Sequence, residues 1–213
     1  MAKILIIGAS QGIGLEAVKQ ALARGHKVRA MARSANRIEL EHPGLEKVVG
    51  DALHRDDVES VLIGVEVVIQ ALGAPANLQT LLGPVRLFSA STRILVPAME
   101  RAGIRRLICV TGFGAGDSRE RLGCLQSIPF RLLLERAYDD KDIQERISRE
   151  SALEWVIVRP VLLTNGSRTG RYQVREDPKC WRGGLISRAD VADFLIKNVE
   201  DRAYVGKTPV LAY

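Results

Sequence analysis

Cysteine, aromatic residues and long apolar runs are all scarce in this sequence. Its 213 residues include three cysteines, Cys109, Cys124 and Cys180, an odd number with no C-x-x-C or histidine-paired spacing. This pattern argues against a disulfide framework and a zinc site, and it fits a reducing compartment. Cys109 lies in an apolar strand pattern and reads as core. His26, His42 and His54 are scattered, without metal-ligand spacing, and read as bystanders. No apolar run nears the ~20 residues a membrane helix needs, and the run after Lys3 is cut short by Gly8, so neither a membrane span nor a signal peptide is expected. The expected location is cytoplasmic. Positive charge is in excess, at a formal +6, but the basic residues are interleaved with acids, as in Ser118-Arg119-Glu120-Arg121 and Glu145-Arg146. No basic cluster carries interleaved aromatics, so nucleic acid is not an expected partner. Part of the excess suits anionic small molecules, through electrostatic steering.

The chain is long enough to bury roughly 70% of its unfolded surface, so a core can replace the missing staples. No repeat, low-complexity tract or linker divides residues 1–213, which read as one domain, a monomer or small homo-oligomer. Short apolar runs predict strands at Lys3–Ile7, Lys27–Ala32, Glu46–Gly50, Val65–Gln70, Arg106–Val110, Trp155–Val158 and Thr208–Leu211. They lack clean alternation, as parallel strands buried on both faces do. Helical patterns fall between them at Leu15–Arg24, Asp56–Leu62, Val85–Ala102, Arg131–Ser151 and Arg188–Val199. Ser187 is placed as the N-cap of the last, and Gly103 as a C-terminal stop. This alternation predicts an α/β fold, a doubly wound parallel sheet with helices on both faces. Ligands of such sheets bind at strand C-termini, so the loops after Val110 and Val158 are the ones to watch.

What is present at the N-terminus is specific. The run Lys3-Ile4-Leu5-Ile6-Ile7 leads into Gly8-Ala9-Ser10-Gln11-Gly12-Ile13-Gly14 and then a helix. Gly8 permits a tight turn, Gly12 lets a pyrophosphate approach the backbone, and Gly14 allows the helix to pack closely on the sheet. Backbone amides over Ser10, Gln11, Gly12, Ile13 and Gly14, with the positive end of the helix dipole, suit a dinucleotide's phosphates. The second strand ends in Arg33-Ser34, with Arg37 a helical turn further on. NAD-preferring domains place a carboxylate about 20 residues beyond the glycines. Arg33 stands there instead, and a guanidinium pairs with phosphate oxygens, so NADP (as NADPH) is the expected cofactor. Ser10 and Ser34 add neutral donors.

Further strings resemble the short-chain dehydrogenase/reductase superfamily, in its atypical NAD(P)H-binding branch that includes the biliverdin reductase B/flavin reductases. They are Gly50-Asp51-Ala52-Leu53, Ala71-Leu72-Gly73, Lys141 through Glu145 with Ser151-Ala152-Leu153-Glu154-Trp155 and Val158-Arg159-Pro160, and Ile186-Ser187-Arg188-Ala189-Asp190-Val191-Ala192. The resemblance spans nearly the whole chain. It implies that Asp51, Ala52 and Leu53 lie at the adenine, and that Ala71, Leu72 and Gly73 line the ribose and pyrophosphate. It further implies that Pro160 ends a strand and turns Val161, Leu162 and Leu163 under the nicotinamide. Two departures stand out: the glycine spacing is that of the conventional dehydrogenases, and their Y-x-x-x-K is replaced by Tyr138 only three residues before Lys141.

Hydride transfer needs the nicotinamide held against an electrophilic carbon with water excluded. Thr111 follows the fifth strand and either hydrogen-bonds substrate carbonyl or carboxamide, or satisfies its own strand end. Lys141 either reaches the nicotinamide ribose or pairs with Glu145 at i+4. Tyr138 is either a proton donor, its pKa lowered by the nearby ammonium, or a core-edge tyrosine. Phe113 is either a wall for a planar substrate or loop packing, and Arg159 reads as a structural ion-pair residue. Thr111, Lys141 and Tyr138 are thus the catalytic candidates. The expected activity is NADPH-dependent reduction of a small organic electrophile (quinone, flavin or carbonyl), under a cover formed by loops near 112–130 and 165–184. The alternative is an NADP-binding redox sensor or assembly scaffold without turnover.

Overall fold

A computed structural model describes residues 1–73, 85–121 and 128–213, the side chains of 121–135 excepted. Cys124 and part of the expected cover, residues 122–127, lie outside the described residues. The elements run β1 (Lys3–Ile7), α1 (Gly12–Ala23), β2 (Lys27–Ala32), β3 (Leu45–Val49), α2 (Arg55–Val61), β4 (Val67–Gln70), α3 (Leu87–Arg101) and β5 (Arg106–Val110). They continue with α4 (Ile128–Glu150), β6 (Glu154–Pro160), β7 (Leu162–Thr164), β8 (Gln173–Arg175), β9 (Leu185–Ser187), α5 (Arg188–Lys197) and β10 (Val210–Ala212). The main sheet has the order β3-β2-β1-β4-β5-β6-β10-β8, and β7 pairs with β9 in a small separate sheet. Strand order reverses between β1 and β4, which opens a crevice at their C-terminal ends.

The doubly wound reading holds, with one correction. β8 runs antiparallel to β10 at the sheet's edge, inside the segment 165–184 that was expected to be a cover loop. The three-residue strands β7, β8 and β9 are too short to produce an apolar period, and nothing in the sequence pattern marks them.

The sheet's two faces are packed differently. On one, α1 and α5 bury Ala17, Val18 and Ala21 against Val191, Leu195, Ile4 and Ile6, an apolar layer. Each fully buried Val, Leu or Ile side chain in this layer contributes roughly 1.5–3 kcal/mol. On the other face, α3 and α4 carry polar groups inward. Gln70, at the end of β4, donates to Ser91 Oγ (3.1 Å) and accepts from Thr92 Oγ1 (3.1 Å) and Gln144 Nε2 (3.0 Å), with all four residues buried. The carboxylate of Asp140 on α4 accepts from the amides of Phe88 and Ser89 at the start of α3. One helix therefore caps the other and fixes how the pair sits on the sheet. Ser187 caps α5 as expected, accepting from the Asp190 amide at 3.0 Å.

Candidate active site

The crevice has two ends of different make. The first is the turn Gly8–Gly14. Gly8 has φ +87°, and a Cβ there would lie 2.6 Å from the Ala71 carbonyl oxygen. A Cβ at Gly14 would overlap the Gly8 carbonyl, so α1 meets the sheet only because that atom is missing. A Cβ on Gly12, which has φ +58°, would meet only the Arg188 side chain, at 3.8 Å. The first-turn amides of α1 have no intrahelical acceptors, and the N-cap residue Gln11 makes no side-chain cap bond. A turn cleared of side chains and lined with amides at a helix N-terminus fits a dinucleotide's phosphates.

The structure brings the neighbouring expected residues to this end. Ser34 donates to Ser10 at 3.0 Å, tying the end of β2 to the glycine turn. Arg33 and Arg37 are exposed, and neither guanidinium has a carboxylate partner among the described residues. Asp51 Oδ1 accepts from the Leu53 amide (2.9 Å), while the Asp51 amide donates to Asp57 (2.8 Å). Ala52 is in the core and Leu53 is 45% exposed. Ala71 continues β4, its amide donating to Ile7, and Gly73 is exposed.

The second end is built from side chains. Glu145, on α4, is buried and accepts from Thr111 Oγ1 (2.8 Å) and from Arg159 Nε (2.9 Å) and Nη2 (2.6 Å). Arg159, wholly buried, also pairs with Asp117 at 2.6 Å and lies 5.1 Å from the Trp181 ring. Its burial opposes the charge, but Glu145 and Asp117 outweigh that and raise the guanidinium's pKa. The pair leaves no room beside it. A Cβ at Gly116 (φ +56°) would sit 2.5 Å from Arg159 Nη2 and 2.6 Å from Glu145 Oε2. Arg159 is thus an ion-pair residue, as expected. Its partners Asp117 and Trp181, and the role of Gly116, were not foreseen; they stand on separate loops, and no local spacing joins them.

Lys141 does not pair directly with Glu145. Its ammonium donates to the Thr111 carbonyl and lies over the rings of Phe88 (5.0 Å) and Tyr138 (5.6 Å). Burial lowers its pKa to about 8, against the opposing pull of Glu145. Gly112 gives onto the same spot: a Cβ there would be 3.4 Å from Lys141 Nζ and 3.5 Å from the Tyr138 hydroxyl. Tyr138 and Lys141 therefore converge beside Gly112 despite their short spacing. The expected lowering of the Tyr138 pKa is overturned, because burial raises it. Phe113 is 6% exposed and packs in the core, so it is no substrate wall. Cys109 is core, its thiol pushed up to about 12 by burial. Pro160 ends β6 and its carbonyl accepts from Phe113. Val161 is buried, whereas Leu162 is 62% exposed on β7 and Leu163 follows it.

Among the described residues no cluster of His, Cys, Asp and Glu could hold a metal ion, and no helix is long and apolar enough to cross a membrane.

Comparison with known proteins shows the family and the fold. A family model described as NAD(P)H-binding matches residues 8–202. The Bacillus subtilis (strain 168) protein named "uncharacterized sugar epimerase YhfK" is 30% identical over 222 residues, covering 98% of this chain and 96% of its own. The solved structure of ChuY, titled an anaerobillin reductase from Escherichia coli O157:H7, superposes with a TM-score of 0.81 at 26% identity, covering 99% of this chain and 96% of that one. A short-chain dehydrogenase/reductase from Veillonella parvula, solved with NADP, has a TM-score of 0.77 at 18% identity over 100% of this chain and 94% of that one, a likeness of fold alone.

Proposed function

Because the chain belongs to the NAD(P)H-binding family, we propose that it is an NADPH-dependent reductase of the atypical short-chain dehydrogenase/reductase branch, acting on a small organic electrophile, a quinone, flavin or carbonyl compound. One observation carries the cofactor half of this reading: Arg33 stands at the end of β2 without a carboxylate partner among the described residues, at the edge of a glycine turn that fits a diphosphate. A 2′-phosphate beside it would supply the missing anion. The likeness to a reductase across almost the whole chain supports the reaction class.

NADPH, when bound, supplies the hydride; the protein supplies position and charge. Thr111 spends its hydroxyl hydrogen on Glu145, so toward the crevice its oxygen can only accept. That suits the amide hydrogens of a carboxamide and rules out donation to a substrate carbonyl while the bond to Glu145 holds. The Arg159–Glu145 pair holds Thr111 in that orientation. Lys141, charged below about pH 8, brings positive charge beside Gly112, where anionic charge on a reduced substrate would be stabilised. Tyr138, kept protonated by burial, can donate its hydroxyl hydrogen at the same place.

The test is steady-state NADPH oxidation against a panel of quinones, flavins and carbonyl compounds, with NADH as comparison. Turnover with any member, favouring NADPH, is the expected result. Tight NADPH binding with no turnover across the panel would replace the reductase with the sensor or scaffold reading.

A further inference from the structure

Arg188 opens α5 in an electrostatically awkward place. It occupies the first turn, where the positive end of the helix dipole disfavours a cation, and its side chain reaches across to Gly12, at the positive end of α1. Its Cδ and Nε are the heavy atoms that come nearest to a Cβ built on Gly12, both at 3.8 Å. Yet among the described residues no carboxylate holds it there. Its hydrogen-bond partner is the neutral side-chain amide of Asn165, at 2.7 Å. The nearby carboxylates are committed elsewhere. Asp190 accepts from the Thr169 and Gly170 amides and from Tyr213, Asp193 pairs with Arg24 and Lys197, and Glu16 pairs with Lys19. Between α1 and the segment 165–168 lies a cleft of about 440 Å³ that has both Gly12 and Arg188 in its lining.

A cation set at two positive helix ends, with only a neutral partner, is stabilised by an anion between them. We infer that Arg188 is a binding residue for the cofactor's diphosphate, reaching over the glycine turn from the opposite side to the α1 amides. This rests on the nucleotide-binding reading above and adds a residue from the far end of the chain to it. The two phosphate contacts are then separate: Arg33 serves the 2′-phosphate at the end of β2, and Arg188 serves the diphosphate at Gly12.

The experiment measures affinity for NADPH and for 2′-phospho-ADP-ribose, which keeps the diphosphate and lacks the nicotinamide, by calorimetry on wild type, Arg188→Gln and Asn165→Ala. Arg188→Gln keeps a donor for Asn165 and removes the charge. It should weaken both ligands by about 10- to 100-fold, the size of a lost charge-assisted hydrogen bond. Asn165→Ala removes the protein partner and keeps the charge, and it should stay within about twofold of wild type. Unchanged affinity in Arg188→Gln, or an equal loss in Asn165→Ala, would overturn the assignment and leave the nucleotide site standing. Wild-type protein that binds neither ligand would overturn the site itself.

Discussion

The two ends of the crevice solve the same problem with opposite materials. At the glycine turn the working groups are backbone amides, and what matters is the absence of side chains at Gly8, Gly12 and Gly14. Around Thr111 the working groups are side chains, locked by the buried Glu145–Arg159 pair. At Gly8 and Gly14 the first end tolerates no added atom; the second tolerates no charge removed without its partner. A backbone-built site is specified by a few adjacent residues, whereas a side-chain-built site needs several distant elements to arrive together.

The largest effect that would break this contrast is at Glu145. Glu145→Ala leaves Arg159 buried with only the half-exposed Asp117, and should cost about 3–5 kcal/mol in urea unfolding. A loss below about 1 kcal/mol would mean that the pair is not the keystone of that end. Replacing both partners, as in Glu145→Met with Arg159→Met, should recover much of that stability. Gly14→Ala comes next, at about 1–3 kcal/mol, because α1 must shift off the Gly8 carbonyl. Its nucleotide affinity should fall along with its stability, since the same shift moves the amides.

Arg33→Asp should leave stability nearly unchanged while weakening NADPH about 10- to 100-fold more than NADH, read by fluorescence titration. Equal loss for both cofactors would remove the phosphate preference. The smallest effect is a pH profile. With Lys141 near 8, turnover that depends on its charge is full below that value and falls as pH rises through it, and Lys141→Met should flatten that limb. Folding linkage runs the other way. The unfolded lysine holds its proton to a higher pH than the folded one, so this group's contribution to stability rises with pH between about 8 and its ordinary value.

The same contrast explains what could be read in advance. β1, β2 and β5 lie within the bounds expected of them, because each is a short, mostly apolar run stopped by Gly8, Arg33 or Thr111-Gly112. The glycine turn and Arg33 sit within that local pattern. Lys141, Thr111 and Arg159 could be singled out as residues, but not their partnership. Tertiary folding decides that Thr111 donates its hydroxyl hydrogen bond to Glu145, that Lys141 reaches a carbonyl instead of its i+4 neighbour, and that Trp181 lies against Arg159. Tyr138 shows the same limit: the neighbouring ammonium was legible, but the burial that raises the phenol's pKa was not.

Trp181 has a practical consequence. The chain has two tryptophans, and this one lies against the guanidinium that anchors the buried charge cluster. With Trp155 changed to phenylalanine, the protein would carry a single tryptophan, excitable apart from its four tyrosines, at the hub of its side-chain-built end. Its emission would then follow any loosening of that hub in real time, without an added dye.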